Sequence, residues 1–210
     1  WAYWSKHVMF ARIAPPALPL YRRLMKFVEG KDYFVITTNV DGQFRKAGCD
    51  ENRLFEVQGD YKYIQSISGA DNVRFDAEDL FEKMCKMQSG CRIPSSLVPR
   101  YRNGEVVLGG DGEPMDINIR KSDAFVEDGF WHRQAKNYSE FVQASVQKRL
   151  VLLELGVGFN TPTIIRFPFE QMALRFPHTA LMRFNKDYPE AGSEMENFFG
   201  FNDIEVLFSL

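Results

Sequence analysis

Short apolar runs that each follow a helical pattern constrain the fold of this chain more than any other feature. The helical patterns cover residues 15–29, 131–147 and 161–176, and the apolar runs that follow them are residues 33–37, 150–155 and 179–184. Each run places aliphatic or aromatic side chains next to one another, which indicates a strand covered on both faces. Strands of this kind are typical of a parallel sheet with helices on either side.

The order of these elements predicts an α/β fold with a doubly wound, Rossmann-like and mostly parallel sheet. Residues 65–114 interrupt the alternation with a helical pattern at 76–88 and a turn-rich, hairpin-like segment at 101–112. We therefore expect residues 1–64 and 115–210 to form the main domain and residues 65–114 to form a small inserted module. A chain of 210 residues with 45% hydrophobic content can bury the core that this arrangement needs.

Charge and apolar patterning exclude several classes of function. Lysine and arginine number 26 against 28 aspartates and glutamates, so the chain has no excess positive charge with which to hold a nucleic acid. No apolar run approaches the roughly 20 residues that cross a bilayer, and the first residues do not have the pattern of a signal peptide. We expect a soluble, cytoplasmic protein that binds neither nucleic acid nor membrane.

Polar segments follow each of the predicted strands directly. These segments are residues 37–41, 156–161 and 185–187, and they contain asparagine, aspartate and a Gly-x-Gly turn. Ligands of doubly wound sheets bind outside the carboxyl ends of the strands, so three such segments together favour a ligand site. Taken singly, each segment is also explained by the ordinary use of asparagine, aspartate and glycine in turns and caps.

The motifs in these segments and beyond them resemble those of the sirtuin family. T-T-N-V-D at 37–41 is similar to the sirtuin T-Q-N-I-D motif, and Q-G-D-Y at 58–61 stands where sirtuins carry their H-G motif. The macrodomain-linked subgroup of sirtuins has the closer pattern, since F-V-E-D at 125–128, W-H-R at 131–133 and L-E-L-G-V-G-F-N-T-P at 153–162 also resemble its motifs. The combination extends over nearly the whole chain.

The resemblance implies a catalytic set made of Asn39, Asp41, Gln58 and Arg120. Asn39 and Asp41 would face the nicotinamide end of NAD, where a carboxylate and fixed dipoles stabilise a cationic sugar. Gln58 occupies the place of the histidine that acts as general base in deacylating sirtuins, and an amide cannot take up a proton near neutral pH. Arg120 resembles a subgroup arginine near the active site, but a surface arginine beside the inserted module explains it equally well.

NAD is the cofactor that the resemblance implies. Gly156 and Gly158 resemble a turn that lets the backbone approach the cofactor, Asn185 resembles an asparagine on the adenine-side ribose, and Asp203 and Ile204 resemble a late loop beside adenine. The full set of implied NAD-binding residues is Thr38, Asn39, Asp41, Gln58, Gly156, Val157, Gly158, Asn160, Asn185, Asp203 and Ile204.

The activity implied by the resemblance is NAD-dependent transfer of ADP-ribose to a protein. The implied acceptor is a lipoyl-carrier protein related to the glycine-cleavage H protein, and a macrodomain protein is a candidate second partner. Two other readings stay open: an NAD-dependent protein deacylase, which Gln58 disfavours, and a non-catalytic, shortened sirtuin that no longer holds NAD.

The chain departs from the family pattern at two places. Sirtuins hold their small module with four cysteines on zinc, whereas the three cysteines here, Cys49, Cys85 and Cys91, do not have that spacing, so we expect no metal. No G-A-G-x-S phosphate loop is present, and the opening residues resemble family sequence that lies beyond it. We therefore expect that the first strand and the phosphate loop are missing and that the chain is shortened at its N-terminus.

Overall fold

The structure, a computed structural model, describes residues 1–192 and 195–209. Its α-helices are α1 (Ala2–Val8), α2 (Pro19–Val28), α3 (Gln43–Lys46), α4 (Glu78–Met87), α5 (Gly129–Ser145) and α6 (Arg166–Arg175). Its strands are β1 (Val35–Thr37), β2 (Leu54–Glu56), β3 (Gly59–Ser66), β4 (Arg74–Asp76), β5 (Pro99–Arg102), β6 (Glu105–Leu108), β7 (Glu113–Ile119), β8 (Leu150–Leu155), β9 (Thr179–Phe184) and β10 (Phe198–Phe201). The predicted α/β class is confirmed.

The chain divides into two compact units, Trp1–Asn137 and Tyr138–Leu210. The first unit contains the parallel pair β1–β2 and an antiparallel sheet in the order β4-β3-β7-β5-β6. The second unit contains a parallel sheet in the order β10-β9-β8. In these parallel sheets β1, β8 and β9 match predicted apolar runs, whereas β2 and β10 were not predicted from the sequence.

The antiparallel sheet and helices α1 and α4 form the main core of the first unit. Its buried side chains are Val8, Ile64, Ala77, Phe81, Met84, Tyr101, Met115 and Ile117. Asp76, which lies two residues before α4 begins, accepts a hydrogen bond from the backbone N–H of Glu78 at 3.0 Å. The Trp1 ring lies 6.3 Å from the Phe81 ring, so α1 packs directly on α4.

A hairpin is present where one was predicted at 101–112, but it spans residues 99–108, as strands β5 and β6 that pair in antiparallel register from Pro99–Leu108 to Arg102–Glu105. Asn103 and Gly104 form its turn with φ of 51° and 87°. Two consecutive residues with positive φ are typical of a type I′ turn, whose twist matches that of the strands. The predicted extent of the inserted module, residues 65–114, stays a prediction.

The strand β8 differs from its prediction because only one of its faces is fully buried. Leu152 and Glu154 are buried, whereas Val151 is 59% exposed. The alternation follows from the two-residue period of a strand, and the apolar run conceals it because leucine and valine occupy both faces.

Two helices begin later than predicted because proline stands inside each predicted range. The helix predicted at 15–29 begins at Pro19, the position where the missing N–H of proline has no cost. The helix predicted at 161–176 begins at Arg166, so Thr161 and Pro162 do not open it. An earlier start would place Pro168 in the helix interior, where its ring collides with the preceding turn.

Within residues 1–192 and 195–209, no helix is both long enough and apolar enough to cross a bilayer.

Candidate functional site

The parallel pairing of β1 with β2 brings two of the predicted motifs to one sheet edge. Thr37 lies opposite Glu56, and the backbone N–H of Val57 donates to the Thr37 carbonyl oxygen at 3.1 Å. The N–H of Tyr61 donates to the Val40 carbonyl oxygen at 3.0 Å, so the two segments remain side by side beyond the strands. Residues 38–41 and the turn at 57–58, between β2 and β3, therefore form neighbouring loops.

Asn39 stands at the exposed tip of the first loop. Its backbone N–H donates to the Thr37 hydroxyl oxygen at 3.1 Å, which fixes the turn after β1. Its side-chain Nδ2 donates to the hydroxyl oxygen of Tyr21 at 3.1 Å. Among the described residues the Oδ1 atom of Asn39 accepts no hydrogen bond, so this end of the amide is available to a ligand.

Asp41 lies two residues beyond Asn39 and is half-buried. Its Oδ1 accepts a hydrogen bond from the backbone N–H of Gln43 at 3.1 Å, across Gly42 with φ of 63°. Burial and then the charge of Asp41 raise the pKa of the Tyr21 hydroxyl. Asp41 thus places a negative charge beside Asn39 and Tyr21.

Gln58 and Arg120 are neighbours through a backbone contact. The backbone N–H of Arg120 donates to the Gln58 carbonyl oxygen at 3.0 Å, directly beyond the pairing of Gly59 with Ile119. The Gln58 side chain is half-buried and makes no hydrogen bond among the described residues. Backbone pairing in the first unit thus places the segments that carry Asn39, Asp41, Gln58 and Arg120 next to one another, while their catalytic roles stay predictions.

The Arg120 side chain lies on the surface and is held by its neighbours. Its guanidinium pairs with Glu127 and lies 4.4 Å from the centre of the Phe125 ring. The indole N–H of Trp131 donates to the Val57 carbonyl oxygen at 3.1 Å. The F-V-E-D and W-H-R motifs thus pack against the residues that flank Gln58.

A buried ion pair joins Arg12 to Asp60 of β3. Arg12 binds Asp60 with two hydrogen bonds of 2.8 and 3.0 Å, and the two side chains are 9% and 1% exposed. A Cβ at Gly42 would overlap the Arg12 guanidinium, so only glycine permits this close approach. Both carboxylate oxygens of Asp60, in the Q-G-D-Y motif, therefore bind Arg12 within the fold.

The second unit carries the Gly-x-Gly turn directly after β8. Gly156 has φ of 65°, and its N–H donates to the Phe184 carbonyl oxygen at 2.8 Å. Gly156 and Gly158 are exposed, and a Cβ at either would meet no atom within 4 Å. Asn160 is also exposed. Packing in the described residues does not require glycine at 158, and the approach of a ligand to this backbone stays a prediction.

Asn185 uses its side-chain amide to hold the loop after β9. Its Nδ2 donates to the Val157 carbonyl oxygen at 2.9 Å, and its Oδ1 accepts from the N–H groups of Asp187 and Tyr188 at 3.1 and 3.0 Å. The structure thus joins Asn185 to the Gly-x-Gly turn, and its contact with a ribose stays a prediction.

Asp203 begins the 3₁₀ helix Ile204–Phe208, because its Oδ1 accepts from the N–H of Glu205 at 2.9 Å. This carboxylate therefore has a capping role within its own loop. Contact of Asp203 or Ile204 with adenine stays a prediction.

A buried charge cluster in the second unit was not predicted from the sequence. Arg183 and Glu154 are fully buried and are joined by hydrogen bonds of 2.6 and 3.0 Å. Glu170 accepts from Arg183 at 2.8 Å, and Arg166 adds a weaker contact with Glu154 at 3.5 Å. The signal in the sequence is a charged residue inside each of two apolar strand runs, Glu154 in β8 and Arg183 in β9.

Tyr21 and Arg12 are the residues of the first unit that sequence reasoning missed. Both precede the T-T-N-V-D motif, and neither belongs to a spacing that predicts chemistry. In residues 1–192 and 195–209, no group of three histidine, cysteine, aspartate or glutamate side chains could hold a metal ion. Burial raises the pKa of the Cys49 thiol to about 11, so this cysteine is a poor nucleophile and a poor metal ligand.

Comparison with known proteins gives relatives of two kinds. No family model matches the chain. A protein ADP-ribosyltransferase of Staphylococcus aureus is 30% identical over 187 residues, which cover 89% of this chain and 57% of that protein. A probable bifunctional ADP-ribose hydrolase/ADP-ribosyltransferase of Fusarium oxysporum f. sp. cubense is 31% identical over 188 residues, 83% of this chain and 29% of that protein. The chain thus spans less than two thirds of the length of either relative.

Solved structures with a similar fold are Sir2 homologues. A Sir2 homologue mutant in complex with ADP-ribose has a TM-score of 0.59 and 14% identity, covering 100% of this chain and 70% of that one. A second Sir2 homologue mutant, in complex with 2′-O-acetyl ADP-ribose, has a TM-score of 0.52 and 14% identity, covering 97% of this chain and 67% of that one. The chain therefore has the Rossmann-like fold of Sir2 homologues.

Proposed function

We propose that this chain carries the catalytic residues of an NAD-dependent protein ADP-ribosyltransferase. The observation on which the proposal depends is the edge formed by β1 and β2, where Asn39, Asp41 and Gln58 lie on neighbouring loops. The Staphylococcus aureus relative is a protein ADP-ribosyltransferase, and the Fusarium oxysporum relative is a probable bifunctional ADP-ribose hydrolase/ADP-ribosyltransferase. The resemblance to the macrodomain-linked sirtuins supports a lipoyl-carrier protein as acceptor and a macrodomain protein as a second partner.

The residues at this edge fit the sugar that bears nicotinamide. Among residues 1–192 and 195–209, the amide oxygen of Asn39 and the side-chain amide of Gln58 have no hydrogen-bond partner, and both can bind ribose hydroxyls. Asp41 adds a negative charge on the same loop. A positively charged sugar is stabilised where fixed dipoles and a carboxylate are already oriented toward it.

NAD supplies an ADP-ribosyl group whose bond to nicotinamide can break. In the reaction, the bond between ribose C1′ and the nicotinamide nitrogen breaks, the electron pair leaves with nicotinamide, and C1′ bonds to a nucleophile of the acceptor protein, which loses its proton. Asn39 and Asp41 stabilise the positive charge on the sugar. Arg120 adjoins Gln58 through its backbone N–H, while its guanidinium pairs with Glu127.

Substitution of Asn39 by alanine is expected to lower the rate of nicotinamide release by about 100-fold, the usual cost of removing one preorganised polar group. The measurement follows nicotinamide release from NAD and transfer of label from labelled NAD to a lipoylated lipoyl-carrier protein. Asn137→Ala is the matched control, because Asn137 donates to the Asn52 carbonyl oxygen ahead of β2, at the other end of the strand. Equal activity of Asn39→Ala and Asn137→Ala would refute the proposed site. Absence of labelling with the parent protein would favour the non-catalytic alternative.

A substitution at Gln58 distinguishes the proposed ADP-ribosyl transfer from the alternative activity, deacylation. A histidine at this position can take a proton from a ribose hydroxyl near neutral pH, whereas glutamine cannot. We expect the parent protein to show weak deacylation and the Gln58→His variant to gain it, measured by release of acetyl or lipoyl groups from modified lysine peptides. Strong deacylation by the parent protein would instead support the deacylase reading.

A further inference from the structure

The side chain of Asn39 forms a hydrogen bond with the hydroxyl group of Tyr21. The tyrosine lies in the first turns of α2, and its ring meets the Phe44 ring edge to face at 4.9 Å and 81°. Its hydroxyl oxygen accepts a hydrogen bond of 3.1 Å from Nδ2 of Asn39. The ring is therefore held by packing while its hydroxyl reaches the tip of the loop after β1.

The start of α2 is fixed to the segment that follows Asp41. Gln43 accepts from the N–H of Leu18 at 2.9 Å and donates to the Pro16 carbonyl oxygen at 3.4 Å. Lys46 donates to the Pro15 carbonyl oxygen at 2.5 Å. Because these bonds join the entry of α2 to α3, the Tyr21 hydroxyl and the Asn39 loop keep a defined separation.

This contact orients the Asn39 amide, with Nδ2 facing the Tyr21 hydroxyl in the structure. The terminal torsion of asparagine is broad, so an exposed amide without a partner samples many orientations. With Nδ2 bound to Tyr21, the oxygen Oδ1 must point the other way. Burial and the nearby Asp41 raise the pKa of Tyr21, so the hydroxyl stays protonated at neutral pH. Tyr21 therefore cannot supply the negative charge that the Asp41 carboxylate provides.

We propose that Tyr21 is a positioning residue, which holds Asn39 so that its amide oxygen is presented to the nicotinamide-bearing ribose. This inference rests on the proposed function, because it assigns Tyr21 a role in the same reaction. An amide dipole stabilises the cationic sugar only if its oxygen is oriented before the charge develops. Loss of the tyrosine hydroxyl therefore lowers the rate of bond cleavage more than it weakens the binding of NAD.

The Tyr21→Phe variant tests this role, since it removes one oxygen atom and keeps the ring on Phe44. We expect kcat for nicotinamide release to fall by about tenfold, the factor that corresponds to one hydrogen bond, with KM for NAD and the melting temperature unchanged. Tyr33→Phe is the matched control, because the Tyr33 hydroxyl precedes β1 and faces the Cys49 sulfur at 4.0 Å. This control is expected to retain the activity of the parent protein.

A double-mutant cycle with Asn39→Ala distinguishes positioning from a general structural effect. If Tyr21 acts only through Asn39, the Tyr21→Phe change causes no further loss of kcat in the Asn39→Ala background. An unchanged kcat in Tyr21→Phe, a loss equal to that of Tyr33→Phe, or an additive loss in the double variant would each overturn the role of Tyr21. If Asn39→Ala itself has full activity, the proposed function fails first, and this result is distinct from a failure of Tyr21 alone.

Discussion

Replacement of Arg183 by methionine is expected to lower the free energy of unfolding by about 3–5 kcal/mol, because it leaves a buried carboxylate without its main partner. Arg183 and Glu154 are both 0% exposed, and the two side chains form hydrogen bonds of 2.6 and 3.0 Å. Arg166 contacts Glu154 only at 3.5 Å and does not replace the lost pair. Urea denaturation followed by circular dichroism measures the change.

Two further variants make this result interpretable. Lys86→Met removes an exposed charge paired with Glu82 on α4, where the side chains are 75% and 39% exposed, and its expected effect is below about 1 kcal/mol. The double variant of Arg183→Met with Glu154→Leu removes both charges, so it is expected to be more stable than Arg183→Met alone. A double variant that is less stable than the single one would contradict the role given to the unpaired carboxylate.

Substitution of Gly59 by alanine is expected to destabilise the protein by about 2–5 kcal/mol, through an unfavourable backbone conformation and a steric clash. Gly59 has φ of 92°, and an added Cβ would overlap the Asn118 carbonyl oxygen and lie 3.0 Å from Cε2 of Phe125. The relief of this clash separates β3 from β7 next to Gln58 and Arg120. We therefore expect nicotinamide release to fall together with stability.

Gly48→Ala is the matched control for this substitution. Gly48 has φ of 88°, close to that of Gly59, but a Cβ there would meet no atom within 4 Å. Its expected cost is about 1–2 kcal/mol from the backbone conformation alone. Equal destabilisation by the two substitutions, measured by chemical denaturation, would show that the contact of β3 with β7 tolerates a methyl group.

The bounds of two strands could be predicted closely, because a mainly apolar run of residues marks each of them. The predicted run at 150–155 is β8 and that at 179–184 is β9, without a change of bounds. Helix starts were less predictable, because Pro19 and Pro168 permit a helix only when they lie in its first turn. The alternating burial of β8 was missed because the residues of both faces are apolar.

The candidate site could be predicted only in part. The loops that carry Asn39 and Gln58 follow from the motifs and from the parallel pairing of the strands before them. Tyr21 could not be found in this way, because a hydrogen bond between residues 18 positions apart has no periodic signal in the sequence. Asp60 shows the opposite case, since it belongs to a motif but binds Arg12 as part of the scaffold.

The sequence by itself determined the α/β class, the strands β8 and β9, and the residue types that precede and follow each strand. These features depend on local periodicity and on residue chemistry, which can be read along the chain. Only the tertiary structure decided which polar groups of the predicted site form hydrogen bonds within the protein. The Asn185 amide and the Asp60 carboxylate already have protein partners, whereas the Asn39 amide oxygen has none among the described residues. The physical reason is that a hydrogen bond depends on distances between atoms that are far apart in sequence, and folding alone sets those distances.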